Sequence, residues 1–237
     1  MSADEQKRTA GEAAAALVEP NTTVGLGTGS TAAWFVRALV ERVADGLRVR
    51  GVATSKATAS LAGELGIPLV ELDEAGEIDL TVDGADEIGP GLSLIKGGGG
   101  ALLREKLVWQ ASKRCVVISD ASKRVSRLGG FPLPVEVVRF GHRTTAKRIS
   151  SLLGRADYVV RPQLREKDGA ALVTDAGNHI YDLPLRSIAD PQSLAAALKA
   201  VTGVVEHGLF LGLAHEAIIA SDDGLAREQV HIGRRHG

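Results

Sequence analysis

Short apolar runs alternate with amphipathic segments along the first 120 residues of the chain. Runs rich in β-branched residues predict strands, and apolar residues that recur every three or four positions predict helices. Strands are expected at residues 22–26, 47–53, 67–72, 78–82, 92–95 and 114–119, and helices at residues 6–18, 32–44, 56–65 and 101–110. This alternation is typical of an α/β fold with a Rossmann-like, mostly parallel sheet. Ser2 and Glu5 have the spacing of a capping box ahead of the first helix.

The composition changes at residues 129–134, where two glycines and two prolines interrupt the pattern. Beyond this break, strands are expected at residues 135–140, 158–161, 179–183 and 204–207, and helices at residues 144–153 and 192–201. The order βαββαβ predicts a smaller α+β domain of the ferredoxin-like kind. Residues 210–220 are expected to return to the first sheet. The predicted domains are therefore residues 1–129 plus 208–237, with residues 130–207 inserted between them.

Composition and charge narrow the class of protein. The 237 residues are 44% hydrophobic, which allows a substantial buried core. The formal charge is −1, and aromatic residues make up only 3%, so we expect no nucleic-acid partner. The N-terminal residues lack the apolar core of a signal peptide, and no run of about 18 apolar residues occurs. We expect a cytoplasmic protein that does not bind membranes, with the single cysteine, Cys115, in its core.

Four consecutive glycines separate Lys96 from a predicted helix that carries Glu105. Glycine is costly to order, so such a run indicates that a ligand approaches the main chain closely. The N–H groups at the start of the helix favour an anion or a developing negative charge. Helical spacing puts Glu105 on an apolar flank between Val108 and Trp109, where desolvation would suit a general base. The alternative is a surface glutamate whose stem covers part of Trp109.

A second glycine loop, Gly27-Thr-Gly-Ser-Thr31, joins a predicted strand to a predicted helix. Its N–H groups and the hydroxyls of Thr28, Ser30 and Thr31 are suited to a phosphate, although Ser30 could also be an ordinary N-cap. The third glycine of a dinucleotide fingerprint is replaced by Ser30, and no Gly-Lys-Ser/Thr ending follows. A small phosphorylated metabolite is therefore favoured over NAD or a nucleotide.

Charged residues follow other predicted strands. Asp83 and Asp86 follow the strand at residues 78–82, and Lys123 follows the strand at residues 114–119. Ligands of open α/β sheets bind at the carboxyl ends of the strands, which makes these residues candidates. The alternatives are a simple Asp-Gly turn and a surface lysine. The six histidines show no metal-ligand spacing and there is one cysteine, so no metal site is expected.

Several long motifs resemble ribose-5-phosphate isomerase, type A, over almost the whole chain. They are Gly27-Thr-Gly-Ser-Thr31, Thr54-Ser55, Asp83-Gly-Ala-Asp-Glu87, Lys96-Gly-Gly-Gly-Gly-Ala-Leu-Leu-Arg-Glu-Lys106, Asp120-Ala-Ser-Lys123, Phe131-Pro-Leu-Pro-Val-Glu136 and Gly203-Val-Val-Glu-His-Gly-Leu-Phe210. The main departure is His207, where the family usually has Asn. This departure affects no residue with an implied catalytic role.

The resemblance implies reversible interconversion of ribose 5-phosphate and ribulose 5-phosphate in the pentose phosphate pathway, without a metal or organic cofactor. Glu105 is implied to be the base that moves a proton between C2 and C1 through an enediolate. Asp83 and Lys96 are implied to handle the sugar oxygens, and Asp86 to assist sugar binding or ring opening. The further substrate-binding residues implied are Thr28, Gly29, Ser30, Thr31, Gly84, Ala85, Gly97, Gly98, Gly99, Lys123 and Lys7. Family members are commonly homodimers or homotetramers.

Two other functions use similar motifs. A sugar-phosphate sensor module would bind through the same glycine loops, but it would need an output domain and would not require a carboxylate at Glu105. No helix-turn-helix pattern or basic stripe precedes Thr22. A related amino-sugar-phosphate isomerase or acyl/CoA-transferring enzyme is the second alternative, and the set Asp83, Asp86 and Lys96 argues against it.

Overall fold

The computed structural model describes residues 1–156 and 158–230. These residues form two compact units. The first comprises Met1–Ala85, Arg104–Arg124 and Gly212–Gly237, and the second comprises Asp86–Leu103 and Val125–Leu211. The grouping places residues 86–103 with the second unit, whereas the sequence pattern assigned them to the first domain. The boundaries expected after residues 129 and 207 stay a prediction.

The first unit is built on one six-stranded sheet. Its strands lie in the order Gly224–Gln229, Glu216–Ser221, Ser112–Asp120, Ile78–Asp83, Thr22–Leu26 and Val49–Ala53. All neighbours are parallel except Gly224–Gln229, which forms an antiparallel hairpin with Glu216–Ser221. The predicted largely parallel sheet is therefore confirmed, as is the return of the chain to it after residue 210.

Helices alternate with the strands of this sheet, and all of them except the short helix Leu72–Ala75 were expected. They are Ala3–Ala15, Ser30–Ala44, Lys56–Glu64, Leu72–Ala75 and Leu102–Gln110, with a 3-10 turn at Ala121–Lys123. The capping box is present, since Ser2 Oγ accepts from Glu5 N at 3.2 Å and Glu5 Oε2 accepts from Ser2 N at 2.6 Å. Over the two described stretches of chain, every helix is too short or too polar to cross a bilayer.

The apolar positions of these strands and helices form the core of the first unit. Fully buried members are Val24, Leu26, Phe35, Val36, Leu39, Val82, Val116, Ile118 and Ile218. Cys115 is buried as well, with 1% of its surface exposed, as expected for a core thiol. These residues come from strands and helices far apart in the chain, so the core holds the sheet and its helices together.

The strand order reverses beside Thr22–Leu26. From Thr22–Leu26 the chain moves outward to the edge strand Val49–Ala53 and then crosses back to Ile78–Asp83 on the other side. The carboxyl ends of Thr22–Leu26 and Ile78–Asp83 therefore flank a topological switch point, where open α/β sheets bind their ligands. The first glycine loop and Asp83 lie at these two ends.

The strand predicted at residues 67–72 is wrong. Leu69 makes only an isolated bridge to Gly51, and the chain then turns into the short helix Leu72–Ala75. Pro68 has no N–H to donate to a ladder, and Leu69 remains 40% exposed, so this apolar run gains little from pairing. The strand predicted at residues 92–95 shortens to Leu94–Ile95, because a 3-10 turn occupies Pro90–Leu92.

The second unit contains a four-stranded antiparallel sheet. Its order is Val204–His207, Leu133–Val137, His179–Leu183 and Gln163–Leu164, with helices at His142–Arg155 and Pro191–Lys199. In chain order these elements read βαββαβ, and the first and third strands are central, which is the ferredoxin-like arrangement predicted from the sequence. Smaller pairings join Glu87–Ile88, Leu94–Ile95 and Leu209–Phe210, and Glu166–Lys167 pairs with Ala170–Ala171.

Two predicted strands of this unit are misplaced. The strand expected at residues 158–161 is found instead at Gln163–Leu164, and the one expected at residues 135–140 is found at Leu133–Val137. Phe140 is 96% exposed and Val159 is 100% exposed. The apolar pattern failed because it treated both side chains as buried. The predicted strand at residues 158–161 directly follows residue 157, which lies outside the described residues.

We predict that Gly25→Ala destabilises the protein. A Cβ at Gly25 would lie 1.9 Å from Oγ1 of its buried cross-strand neighbour Thr81. The strands would have to separate locally, at a cost of about 1–3 kcal/mol. Urea unfolding measures the change. Gly63→Ala is the control: nothing lies within 4 Å of its added Cβ, so this helical change should stabilise by about 0.5–1 kcal/mol. Equal changes in unfolding free energy for the two substitutions would contradict the close packing of Gly25 against Thr81.

We also predict a pH dependence that arises from Glu136, which is 1% exposed. Burial raises the pKa of Glu136, and hydrogen bonds from Thr174 and Asn178 offset part of the rise. The folded chain thus holds this proton more tightly than the unfolded chain. Its contribution to stability is present below the unfolded pKa of about 4.3 and is lost as pH rises through the folded pKa.

The measurement is the unfolding free energy of wild type minus that of Glu136→Gln, followed upward from about pH 4.3. The difference should fall as pH rises and then level off. A difference that stayed constant or increased with pH would show that Glu136 does not titrate in this way.

Candidate active site

Asp83 ends a central strand and is fully buried, with 0% of its surface exposed. Its Oδ1 accepts from Thr28 N at 3.0 Å and from Gly84 N at 2.7 Å. A Cβ at Gly27 would lie 2.3 Å from the same oxygen, so the loop can follow this path only with glycine there. The two strand ends that the sequence placed at one sheet edge are therefore joined by hydrogen bonds to a single carboxylate.

Hydroxyl groups gather behind the first glycine loop. Thr28 Oγ1 lies 2.7 Å from Thr54 Oγ1, 2.9 Å from Ser55 Oγ and 3.2 Å from Thr58 Oγ1. Thr58 Oγ1 in turn donates to Gly27 O at 2.9 Å. The sequence analysis missed Thr58, although its position three residues after the N-cap Ser55 was a usable signal. The Thr28 hydroxyl thus holds the loop against this cluster of hydroxyl groups.

The first glycine loop leads into the helix Ser30–Ala44. Gly29 is the N-cap residue, with φ of 100° and no side-chain cap, so Ser30 is the first helical residue rather than the cap. The Ser30 side chain is exposed, and its Oγ accepts from Lys7 Nζ at 3.2 Å. A long helix that opens beside an ammonium group favours an anion. Lys7, which was named only through the family resemblance, therefore lies beside the loop.

Other predicted residues lie at or after the ends of the strands of this sheet. A Cβ at Gly84 would lie 3.8 Å from Cβ of Thr31, so these two residues are close. Ala85 is half-buried and ends this segment of the first unit. Lys123 is also half-buried and lies in the 3-10 turn after Ser112–Asp120, the strand that pairs with Ile78–Asp83.

Glu105 lies in the helix Leu102–Gln110 and is 4% exposed. Its helical neighbours Val108 and Trp109 are 3% and 1% exposed, and Val108 packs with the apolar side chains of Val52 and Ile78. The predicted apolar flank is confirmed, and the surface alternative is wrong. Lys106 is also buried, at 6%, although helical spacing had placed it on another face.

In the second unit, Asp86 holds the second glycine loop. Asp86 Oδ2 accepts from Gly98 N at 2.7 Å. A Cβ at Gly98 would lie 2.5 Å from Asp86 Oδ1, and Gly97 has φ of 106°, so both positions require glycine. Gly99 forms part of the turn that closes when Gly100 N donates to Gly97 O at 3.0 Å.

Lys96 is 2% exposed. Its N donates to Gly208 O at 2.9 Å, and its Nζ lies 5.5 Å from the centre of the Phe210 ring. A desolvated ammonium group over an aromatic face is held by a cation–π interaction. The sequence analysis quoted Phe210 only as part of a family motif and did not connect it with Lys96.

The described residues include no group of three or more His, Cys, Asp or Glu side chains placed to hold a metal ion. The expectation that the protein uses no metal or organic cofactor stays a prediction.

A glycine loop at a helix N-terminus, buried carboxylates and a buried lysine are typical of α/β proteins that bind phosphorylated polar metabolites. The model for the family "Ribose 5-phosphate isomerase A (phosphoriboisomerase A)" matches residues 50–224. Ribose-5-phosphate isomerase A of Caulobacter sp. (strain K31) is 64% identical over 227 residues, which cover 96% of this chain and 99% of that protein. The chain therefore belongs to the ribose 5-phosphate isomerase A family.

Solved structures agree with this assignment. Ribose 5-phosphate isomerase from Plasmodium falciparum has a TM-score of 0.90 at 35% identity, covering 96% of this chain and 99% of that one. A D-ribose-5-phosphate isomerase in complex with phospho-erythronic acid has a TM-score of 0.90 at 34% identity, covering 97% of this chain and 100% of that one.

We predict that Ser30→Ala weakens the binding of phosphate. The hydroxyl bridges Lys7 to the helix N-terminus, and a hydrogen bond to a charged group is worth about 1.5–3 kcal/mol. The dissociation constant of inorganic phosphate, measured by titration calorimetry, should rise by about tenfold or more. Ser60→Ala, at an exposed site in the helix Lys56–Glu64, is the control and should leave it unchanged. If Ser30→Ala bound phosphate like wild type, the anion would have to bind elsewhere, with Lys123 the next candidate.

Proposed function

We propose that this chain interconverts ribose 5-phosphate and ribulose 5-phosphate, with Glu105 as the base that moves a proton between C2 and C1. The observation that carries the assignment of Glu105 is its position: a carboxylate 4% exposed, on a helix that follows four glycines. The general role of the family is in the pentose phosphate pathway, and this reaction belongs to its non-oxidative branch.

The environment of Glu105 suits proton transfer. The carboxylate lies on the same helix as the buried side chains Val108 and Trp109 and is shielded from bulk water. Positioned carboxylates contribute about 10²–10⁴ in rate through general acid–base catalysis. The proton that Glu105 takes from one carbon returns to the neighbouring carbon, so the base is regenerated in each turnover.

Removing that proton leaves negative charge on the enediolate oxygens. Preorganised donors at such an oxygen are usually the largest single contribution to catalysis. Lys96 supplies an ammonium group, and the second glycine loop supplies N–H groups. Gly98 N already donates to Asp86, and Gly100 N donates to Gly97 O. In the described chain this leaves Gly97 and Gly99 as the glycines of the run whose N–H groups have no partner.

The remaining polar residues take the rest of the substrate. The N-terminus of Ser30–Ala44 and Lys7 bind the phosphate, with Lys123 as a further cation. Asp83 and Asp86 accept hydrogen bonds from sugar hydroxyls, and Asp86 assists ring opening. A related D-ribose-5-phosphate isomerase was solved with phospho-erythronic acid, a phosphorylated polar acid, which supports a ligand of this chemistry.

We further propose that the protein is cytoplasmic and forms a homodimer or homotetramer, and that it has no nucleic-acid partner. These proposals rest on the sequence analysis and the family resemblance. A sensor module remains the rival from another class, and it differs in one observable: it would bind ribose 5-phosphate without converting it. An assay of ketopentose formation by the wild-type protein therefore separates the two.

We predict that Glu105→Gln lowers turnover of ribose 5-phosphate by at least about 10²-fold, because the amide keeps the shape of the side chain but cannot accept the proton. The Michaelis constant should change little. In deuterated water the wild type should place deuterium on the carbon that receives the proton, and the variant should lose exchange and isomerisation together.

Glu41→Gln, an exposed position in the helix Ser30–Ala44, is the matched control and should keep wild-type turnover. Near-wild-type turnover by Glu105→Gln would remove Glu105 from the mechanism and make Asp83 the next candidate base. Absence of turnover in the wild type itself would favour the sensor.

A further inference from the structure

Arg165 reaches from the ferredoxin-like sheet to the second glycine loop. Its Nη1 donates to Gly97 O at 2.7 Å and to Gly98 O at 3.1 Å. Neither the sequence motifs nor the family resemblance assigned this residue a role. One guanidinium nitrogen thus binds two consecutive carbonyl groups of the loop.

Asp182 fixes the direction of the guanidinium group. Arg165 Nε donates to Asp182 Oδ2 at 2.8 Å, and Nη2 contacts Asp182 Oδ1, so the pair is bidentate. The two side chains are 13% and 20% exposed. The main chain adds a further anchor, since Arg165 N donates to Ile180 O at 2.8 Å. A bidentate pair restricts the planar guanidinium group more than a single contact would, so Nη1 projects in a defined direction.

The contacts pin the peptide between Gly97 and Gly98 at both ends. Its carbonyl oxygen accepts from Arg165, and its N–H donates to Asp86 at 2.7 Å. Carbonyl and N–H point to opposite sides of a trans peptide. Arg165 therefore holds from one side the same peptide that orients the Asp86 carboxylate on the other.

The next peptide, between Gly98 and Gly99, is held at its carbonyl only. Because Gly98 O accepts from Arg165, the N–H of Gly99 must point away from the guanidinium group. Four glycines have no side chains with which to fix these directions themselves, and they have more backbone freedom to lose than any other residues. The contacts from the Arg165 side chain therefore help to select one orientation of these peptides.

We propose that Arg165, fixed by Asp182, is a positioning residue of the isomerase reaction: it orients the Gly99 N–H toward the developing enediolate oxygen and the Asp86 carboxylate toward the sugar. This proposal rests on the proposed function. It requires a guanidinium group, in which two nitrogens bind Asp182 and the third binds the carbonyl groups of the loop. The ammonium group of a lysine has one nitrogen and cannot make both sets of contacts in this geometry.

The test compares Arg165→Ala, Arg165→Lys and Asp182→Asn with the control Arg161→Ala, an exposed arginine nearby in the chain. Loss of a single oxyanion-hole donor costs about 10²–10³ in kcat, so misdirecting one should lower kcat by at least about tenfold. This decrease is expected in all three variants, with inhibition by inorganic phosphate unchanged. Arg161→Ala should behave like wild type.

Two further readouts separate positioning from general stability. Millimolar guanidinium ion should restore part of the kcat of Arg165→Ala but none of the kcat of Glu105→Gln. Amide hydrogen exchange of residues 97–100 should be faster in Arg165→Ala, while exchange in the helix Ser30–Ala44 stays as in wild type.

Unchanged kcat in Arg165→Ala, or unchanged exchange of residues 97–100, would overturn the proposal. Loss of activity without guanidinium rescue and with exchange faster throughout the chain would also overturn it, since that describes unfolding. A wild type that binds ribose 5-phosphate without isomerising it would instead overturn the proposed function, and the exchange measurement would still report on the contacts of Arg165 with the loop.

Discussion

A single buried carboxylate organises the first unit around its ligand edge. Asp83 accepts N–H groups from Thr28 and Gly84, so the ends of two adjacent parallel strands are tied together where the strand order reverses. A carboxylate that is 0% exposed is tolerated only when hydrogen bonds replace its water. The path of the first glycine loop and the turn at Gly84 depend on these bonds. The chemistry of the edge follows from a structural requirement, since the group that closes the loop is also a group that can act on a sugar.

In the second unit, too, carboxylates accept main-chain N–H groups beside a glycine. A Cβ at Gly98 would meet the carboxylate of Asp86, and one at Gly130 would lie 2.8 Å from the carboxylate of Glu87. Glu87 accepts from Gly129 N at 2.7 Å and from Phe131 N at 2.6 Å. In each case glycine leaves room for a carboxylate to reach main-chain N–H groups directly. Arg165 adds the complementary element, a cation bound to main-chain carbonyls. The glycine loops are therefore held by charged side chains that bind the backbone itself.

Patterns along the sequence correctly predicted those features that depend on residues close together in the chain. The capping box at Ser2 and Glu5, the burial of Glu105 and the glycine loop beside Asp83 followed from spacing along one helix or from the end of one strand. The failures arose where tertiary context overrides an apolar run: Pro68 removed a donor, and Phe140 and Val159 are exposed. Arg165 could not be found in this way, because 68 residues separate it from Gly97 and no spacing rule links them. Its role depends on the ferredoxin-like sheet bringing them together.

The helix Ala3–Ala15 carries Lys7 to the first glycine loop, where Lys7 Nζ donates to Ser30 Oγ at 3.2 Å. Lys7 lies two residues after Glu5 of the capping box, and the Met1 amino group pairs with Asp222 at 2.7 Å, so the first residues are tied at both the cap and the amino group. A fusion tag placed before Met1 would replace that amino group with an amide and remove its charge. Proteins tagged at this end would lose the pair with Asp222, and phosphate affinities measured on them would include the effect of the tag.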